Sequence, residues 1–275
     1  MLKMLNKKTK TAFNSHEHGM NAISPLNQGK THAGTEGIQV KLIDYPDETR
    51  FKKALSKMVG ATVGGDIDED IPSDVGEELF KGGLQTGLEA GVFTFEISGV
   101  SRAFTHQLVR TRKAAFHQQS SRYTFMGANF NVREPKTIWD NRDAHQAFNN
   151  LVHAARQAYA RLCELGIPYQ DARFAVPVGI ETYIVAEYPI KVFLDTFAYR
   201  ACPMFQWEMV EVMRMMKVRV LSLWPWMEPY IKISCEKSHK CMFQGFEETE
   251  AQCEFPWAGD RVFKSEHFSV DKKEE

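Results

Sequence analysis

Arg110-Thr111-Arg112 is followed, after seven residues, by Ser120-Ser121-Arg122-Tyr123. A guanidinium presents a planar fork of donors that matches phosphate oxygens, and serine hydroxyls with neighbouring backbone N–H groups complete an anion cradle. Arg110, Arg112, Ser120, Ser121 and Arg122 together therefore ask for a phosphorylated ligand. The competing reading of the charges alone is a solvated basic helix end beside a serine-rich turn. Positive charge is local and not global: the formal net charge of the 275 residues is −1, whereas a protein that coats nucleic acid carries a strong positive balance.

The elements that hold these residues follow from pattern. Alternating side chains over Ile38 to Tyr45 predict a strand, and a helix is expected over Glu48 to Met58. A loop, Gly64-Gly-Asp-Ile-Asp-Glu-Asp-Ile-Pro72, separates it from a second helix over Val75 to Leu88. Val92 to Ile97 reads as a strand, and Ser101 is placed to cap the next helix, on which Ala103, Gln107 and Arg110 share one face. Asn129 to Val132 is a candidate strand. Asp143 to Leu165 predicts a long helix with a core-facing stripe of Phe148, Leu151, Ala155, Tyr159 and Leu162. Ile167-Pro168 stops it, Ile180 to Val185 is β-prone, Pro189 opens a helix to about Arg200, and a last large helix runs from Gln206 to about Leu223.

With 43% apolar residues the chain can bury a full core without disulfides. The expected organisation is a flexible arm over 1–36, one catalytic domain over 37–233 and a C-terminal extension over 234–275. Five cysteines at uneven spacing argue for a reducing, cytoplasmic setting. No stretch approaches the roughly 20 apolar residues of a membrane span, and the lysine-rich start lacks the apolar run of a signal peptide. Cys235, His239, Cys241 and Cys253 are a candidate zinc set, but they lack a paired C-x2-C knuckle, so reduced cysteines and no metal are the expectation.

Further blocks stand in order around the arginine-serine motif: Phe93-Thr-Phe95, Gln107-Leu-Val-Arg110, Asp171-Ala-Arg173, Pro177, Arg200 and Gln206-Trp-Glu208. From about Ile38 to Ile231 the chain resembles the flavin-dependent thymidylate synthases, whose signature is Arg-His-Arg, seven residues, then Ser. The resemblance implies an α+β fold, with a twisted, mainly antiparallel sheet flanked by helices, assembled as a homotetramer with shared active sites. It implies a reaction in which dUMP becomes dTMP: 5,10-methylenetetrahydrofolate gives the carbon, FAD the hydride, and NADPH restores the flavin. The protein then orients and polarises without a nucleophile of its own. By the same resemblance Gln107, Gln119, Ser120, Ser121, Arg122, Arg173 and Arg200 surround the nucleotide. Arg122 and Arg173 would hold the phosphate. Arg200 and Ser120 are the catalytic candidates, with Arg200 against the uracil carbonyl.

Arg110, Thr111, Arg112, His117, Gln118, Lys191 and Asp195 fall at flavin-side positions. There the chain departs from the family: Thr111 stands for the signature His, Ala90 for a His before the Phe-Thr-Phe strand, Pro189-Ile190-Lys191 for Asn-Ala-Arg, Asp195 for Asn, and Met204-Phe205 displace a His. His117, Gln118 and Lys191 are the candidates to compensate. Two other readings stay open: a hydroxymethylase acting on dUMP or dCMP with the same folate and no net reductant, and a homologue that binds nucleotide without chemistry.

Overall fold

The computed structural model describes residues 28–64, 85–241, 243, 251–252 and 262–263. Residues 1–27 of the expected arm, the loop over 65–72, most of the expected helix over Val75 to Leu88, and Cys253 lie outside them. The fold is α+β. Strands β1 (Thr31–Ala33), β2 (Gln39–Asp44), β3 (Val92–Ser101), β4 (Ala115–Gln118), β5 (Val132–Glu134) and β6 (Glu181–Pro189) accompany eight helices among the described residues. These are α1 (Glu48–Val63), α2 (Arg102–Leu108), α3 (Lys136–Trp139), α4 (Arg142–Glu164), α5 (Tyr169–Ala172), α6 (Ile190–Arg200), α7 (Trp207–Leu223) and α8 (Ser234–Ser238). An antiparallel sheet runs in the order β2-β3-β6-β4, and β1 pairs with β5 in parallel, Thr31 opposite Val132. The chain divides into two compact units, Met1–Lys41 with Phe95–Ala186 and Leu42–Thr94 with Glu187–Glu275. Among the described residues no helix is long and apolar enough to cross a membrane.

In the first unit α4 presents Val152, Ala155 and Tyr159 to a core of Met126, Phe130, Val132, Ala172 and Ile180. Of the expected stripe, Ala155 and Tyr159 are in this core and Phe148 and Leu162 pack against it; Leu151 is 56% exposed and Val152 takes its place. Tyr159 is fully buried, and its hydroxyl accepts the Met126 N–H at 3.1 Å. Burial raises its pKa far above the ordinary phenol.

From Gln28 onward the residues assigned to the arm are docked. The Asn131 side-chain oxygen accepts the N–H groups of Gln28 and Lys30, and His32 Nδ1 lies 2.7 Å from Glu181. Arg133, buried at the floor, donates to the same Glu181 oxygen at 2.9 Å and to the Gly34 carbonyl. Gly99 has φ +72° within β3, and a Cβ there would sit 2.5 Å from the Gly37 carbonyl oxygen, so only glycine fits. The strand expected at Asn129 to Val132 is found at Val132–Glu134; Asn131, just before it, gives its side chain to the docked segment and its carbonyl to the Glu181 N–H.

In the second unit aromatic rings build the core: Phe51 stacks on Trp224 at 5.3 Å, and Phe93 meets Trp224 and Phe193 edge-on. A Cβ on Gly91 would collide with Ile190 at 2.5 Å and Phe51 at 2.8 Å, a close approach that requires glycine. α1 continues to Val63, past the expected Met58, and ends on Gly64 in the left-handed conformation. Of the expected helix over Val75 to Leu88, Gln85–Ala90 is described and forms a 3-10 turn. Pro189 does precede the first turn of α6, and Gln206 caps α7 by accepting the Met209 N–H at 3.0 Å.

Candidate functional site

The arginine-serine motif lies in the first unit, between α2 and the loop before β5. Ser101 caps α2 by accepting the Phe104 N–H at 3.0 Å, while Arg102 and Ala103 donate their N–H groups to the carbonyls of Ile180 and Val178. The donors that a helix start leaves open are thereby satisfied, and α2 is anchored to the start of β6. The helix closes at Leu108, two residues short of Arg110, so Arg110 does not share a helical face with Ala103 and Gln107. Arg110 and Thr111 follow it in turns that donate to Gln107 and Leu108. Lys113, at φ +67°, reverses the chain into β4. That strand occupies part of the seven-residue spacer and was not foreseen: four residues with half-exposed alternation carry little signal.

β4 fixes the signature residues one by one. Gln118 turns its amide to Thr105 at 2.9 Å and Thr182 at 3.4 Å, so it is committed to internal hydrogen bonds. His117 is exposed. Gln119 donates its N–H to the Tyr183 carbonyl, and its own carbonyl accepts from Arg102 at 2.7 Å. Ser120 shapes the turn as expected: its carbonyl accepts the Thr124 N–H and its hydroxyl accepts the Arg122 N–H at 3.2 Å. Arg122 is exposed, its guanidinium 5.3 Å from the Tyr123 ring.

Arg173 joins this turn from the far end of the unit. It follows α5, which opens after Pro168, and donates to the Gln170 carbonyl at 3.0 Å and to the Ser121 hydroxyl at 3.2 Å. Ser121 and Arg173 line a cleft of about 270 Å³ with Arg102 and His106; Met126, Phe174, Val176, Pro177, Val178 and Ile180 form its apolar side. Arg102 is the site residue that the sequence reading missed. It precedes the motif and reads there as an ordinary basic residue in a first helical turn. Burial, and after it the positive charge of Arg173, pull the Arg102 guanidinium below its ordinary pKa.

Among the described residues, none of Arg102, Arg110, Arg112, Arg122 and Arg173 is paired with a carboxylate. Two guanidinium groups that share a cleft and lack a counter-charge form a site that an anion stabilises. A larger cavity of about 630 Å³ in the same unit is lined by Gln119, His32, Glu96, Glu181 and Tyr183 among others. Its carboxylates are engaged: Glu96 accepts from Lys41 at 2.7 Å and from Tyr183 at 3.1 Å, and the Lys41 hydrogen bond holds its carboxyl below the ordinary value.

Lys191, Asp195 and Arg200 belong to the second unit, on α6. Lys191 and Asp195 pair with each other one turn apart, so the lysine charge is spent on the neighbouring carboxylate. Arg200 closes the helix, half-buried, with no hydrogen bond or ion pair among the described residues. Cys163, Cys202, Cys235 and Cys241 are not joined in disulfides. Among the described residues no group of three or more His, Cys, Asp or Glu side chains could hold a metal; Cys253 of the candidate zinc set lies outside them.

Comparison with known proteins converges on one family. The profile of the family described as thymidylate synthase complementing protein matches residues 41–226. The flavin-dependent thymidylate synthase of Geobacter sulfurreducens is 39% identical over 140 residues, which cover 49% of this chain and 60% of that protein. The enzyme of the same name from Pyrococcus furiosus is 35% identical over 129 residues, 46% of this chain and 52% of that one. The chain thus spans about half to three fifths of the length of these relatives. Among solved structures, the UMP/dUMP methylase PolB of Streptomyces cacaoi bound with 5-Br UMP superposes with a TM-score of 0.59 at 18% identity, over 74% of this chain and 98% of that one. Thymidylate Synthase X of Helicobacter pylori with FAD and dUMP gives a TM-score of 0.56 at 17% identity, over 71% and 99%. At these identities the two structures attest the fold, and the profile match, which covers most of the chain, carries the assignment: this chain belongs to the thymidylate synthase complementing protein family.

Proposed function

We infer that this protein converts dUMP to dTMP, taking the carbon from 5,10-methylenetetrahydrofolate and the reducing equivalents from NADPH through FAD. The observation that carries the reading is the cleft in which Arg102, Arg173 and Ser121 meet without a carboxylate. It suits the phosphate of a nucleoside monophosphate; the relatives are named flavin-dependent thymidylate synthases, and of the solved structures one is a UMP/dUMP methylase and another holds FAD and dUMP. Arg102 and Arg173 hold the phosphate there, Ser120 and Ser121 shape the turn beside it, and Arg122 closes over it. Gln107 and Gln119 border the nucleotide. Arg200 faces the uracil carbonyl and stabilises the charge that develops as C5 becomes nucleophilic; removing a donor of this kind costs about 3–4 kcal/mol of barrier.

Arg110 and Arg112, exposed and without carboxylate partners, fit the diphosphate of a flavin dinucleotide, with Thr111 and His117 beside them. When bound, that cofactor supplies the hydride. The catalytic domain in this reading is 37–233, working in the cytoplasm as a homotetramer with shared sites; the exposed Phe174 and Val178 at the rim of the cleft suit a partner subunit.

One observation favours a second reading. Lys191 is neutralised by Asp195, and Gln118 is turned inward, so two of the residues expected to compensate on the flavin side are committed elsewhere. Transfer of a hydroxymethyl group needs water and no reductant, and would tolerate that loss. Incubating the protein with dUMP, methylenetetrahydrofolate and NADPH and weighing the product by mass spectrometry separates the two. A methylated nucleotide supports the synthase, a hydroxymethylated one the alternative, and bound but unchanged dUMP overturns both.

A further inference from the structure

Arg200 is held in an unusual way. Its guanidinium carbon lies 5.4 Å from the centroid of the Tyr199 ring and 5.1 Å from that of Phe205. Those two rings are 4.7 Å apart, and Phe243 packs edge-on against Phe205 at 5.8 Å. Ring faces attract the flat cation without using its N–H groups, so the guanidinium is restrained while its donors stay open.

Phe243 comes from beyond the stretch that the family profile matches, which ends at 226. The segment that carries it is tied to the same helix end: the Ser234 hydroxyl donates to the Ala198 carbonyl at 3.0 Å, and Cys235 is buried. Lys237, from the same short helix, is close enough to α6 to feel the charges of Asp195 and Lys191, and its burial lowers its pKa. The C-terminal extension is therefore built against the residue in which the nucleotide-ring chemistry is placed.

We propose that Phe205, backed by Tyr199 and by Phe243 of the C-terminal extension, is a positioning residue that aims the Arg200 guanidinium at the pyrimidine ring. This rests on the role given to Arg200 above. Packing alone would leave ligand selectivity untouched, whereas aiming a cation at the ring affects only ligands that have one.

The test measures binding of dUMP and of 2-deoxyribose 5-phosphate, which has the phosphate and no base, to the full chain and to Phe205→Leu, Phe205→Tyr, Phe243→Leu and Arg200→Met. Expected for Phe205→Leu is a loss of about 3- to 30-fold for dUMP, the range from an exposed to a desolvated cation–π contact, with deoxyribose phosphate binding unchanged as the internal sign that the variant is folded. Phe205→Tyr restores dUMP binding, and Phe243→Leu gives a smaller loss of the same selectivity. Unchanged dUMP binding in Phe205→Leu, with a clear loss in Arg200→Met, overturns the positioning role alone. Unchanged dUMP binding in Arg200→Met overturns the role of Arg200 and the clamp with it. Equal loss for both ligands in Phe205→Leu also overturns it, since that marks a general structural defect.

Discussion

Two arginine environments in the first unit differ in one respect that separates structure from function. Arg133 is fully buried and has its charge answered, by Glu181 at 2.9 Å, with His32 on the same carboxylate oxygen. Arg102 and Arg173 share a cleft and have no carboxylate at all. A protein does not leave two guanidinium groups together for stability, since burial and mutual repulsion both count against it. The paired arginine holds the docked segment from Gln28 onto the sheet; the other two donate only to neutral oxygens of Gln119, Gln170 and Ser121, so their charge is left for a ligand.

The comparison can be broken at either end. The largest effect is expected at the paired site. Glu181→Ala leaves Arg133 buried without its counter-charge and should cost about 3–5 kcal/mol of stability, seen as a lower denaturation midpoint. If Glu181→Ala unfolds no more easily than the parent, the pair is not what secures the segment. At the unpaired site the sign reverses: Arg173→Met should leave stability nearly unchanged, or raise it as repulsion on Arg102 is relieved. It should lose about 1.5–3 kcal/mol of dUMP binding, the usual worth of hydrogen bonds to charged groups.

Smaller effects sharpen the contrast. Tyr159→Phe removes the acceptor of the buried Met126 N–H just after the signature turn, and about 1–3 kcal/mol of stability should go with it. A calorimetric scan of that variant matching the parent would show that another acceptor takes over. Glu96 gives the smallest effect, because its lysine partner is exposed. The folded-state carboxyl sits below its ordinary value near 4.5, so its contribution is complete above that pH and fades as pH falls through the lower folded value. Melting temperatures across acid pH should therefore drop less steeply for Glu96→Gln than for the parent; parallel curves would remove Glu96 from the account.

How much of this was legible depended on range. Ser101, Pro189 and Gln206 announced helix starts because a helix start is set locally, by a capping oxygen or, at Pro189, by a fixed backbone angle, and each sits where the pattern put it. The signature turn was equally readable, since Ser120 and Arg122 make it with each other. Long-range choices were not readable. β1 pairs in parallel with a strand about a hundred residues away, and nothing in Thr31-His-Ala33 specifies that partner. The face of α4 was readable in Phe148, Ala155, Tyr159 and Leu162, but Leu151 yields its place to Val152, because the two are equally apolar and only the packed partner decides between them. Arg102 escaped notice for the same reason, since its meaning comes from Arg173, which is far from it in sequence.

The central claim is that the cleft between Arg102 and Arg173 binds the phosphate of a nucleotide. The most direct measurement compares, by titration calorimetry, the affinities of dUMP and deoxyuridine for the parent chain and for a variant carrying both Arg102→Met and Arg173→Met. We expect the parent to prefer dUMP strongly and the variant to bind the two alike, with deoxyuridine affinity unaltered. A variant that still prefers dUMP as the parent does would contradict the claim.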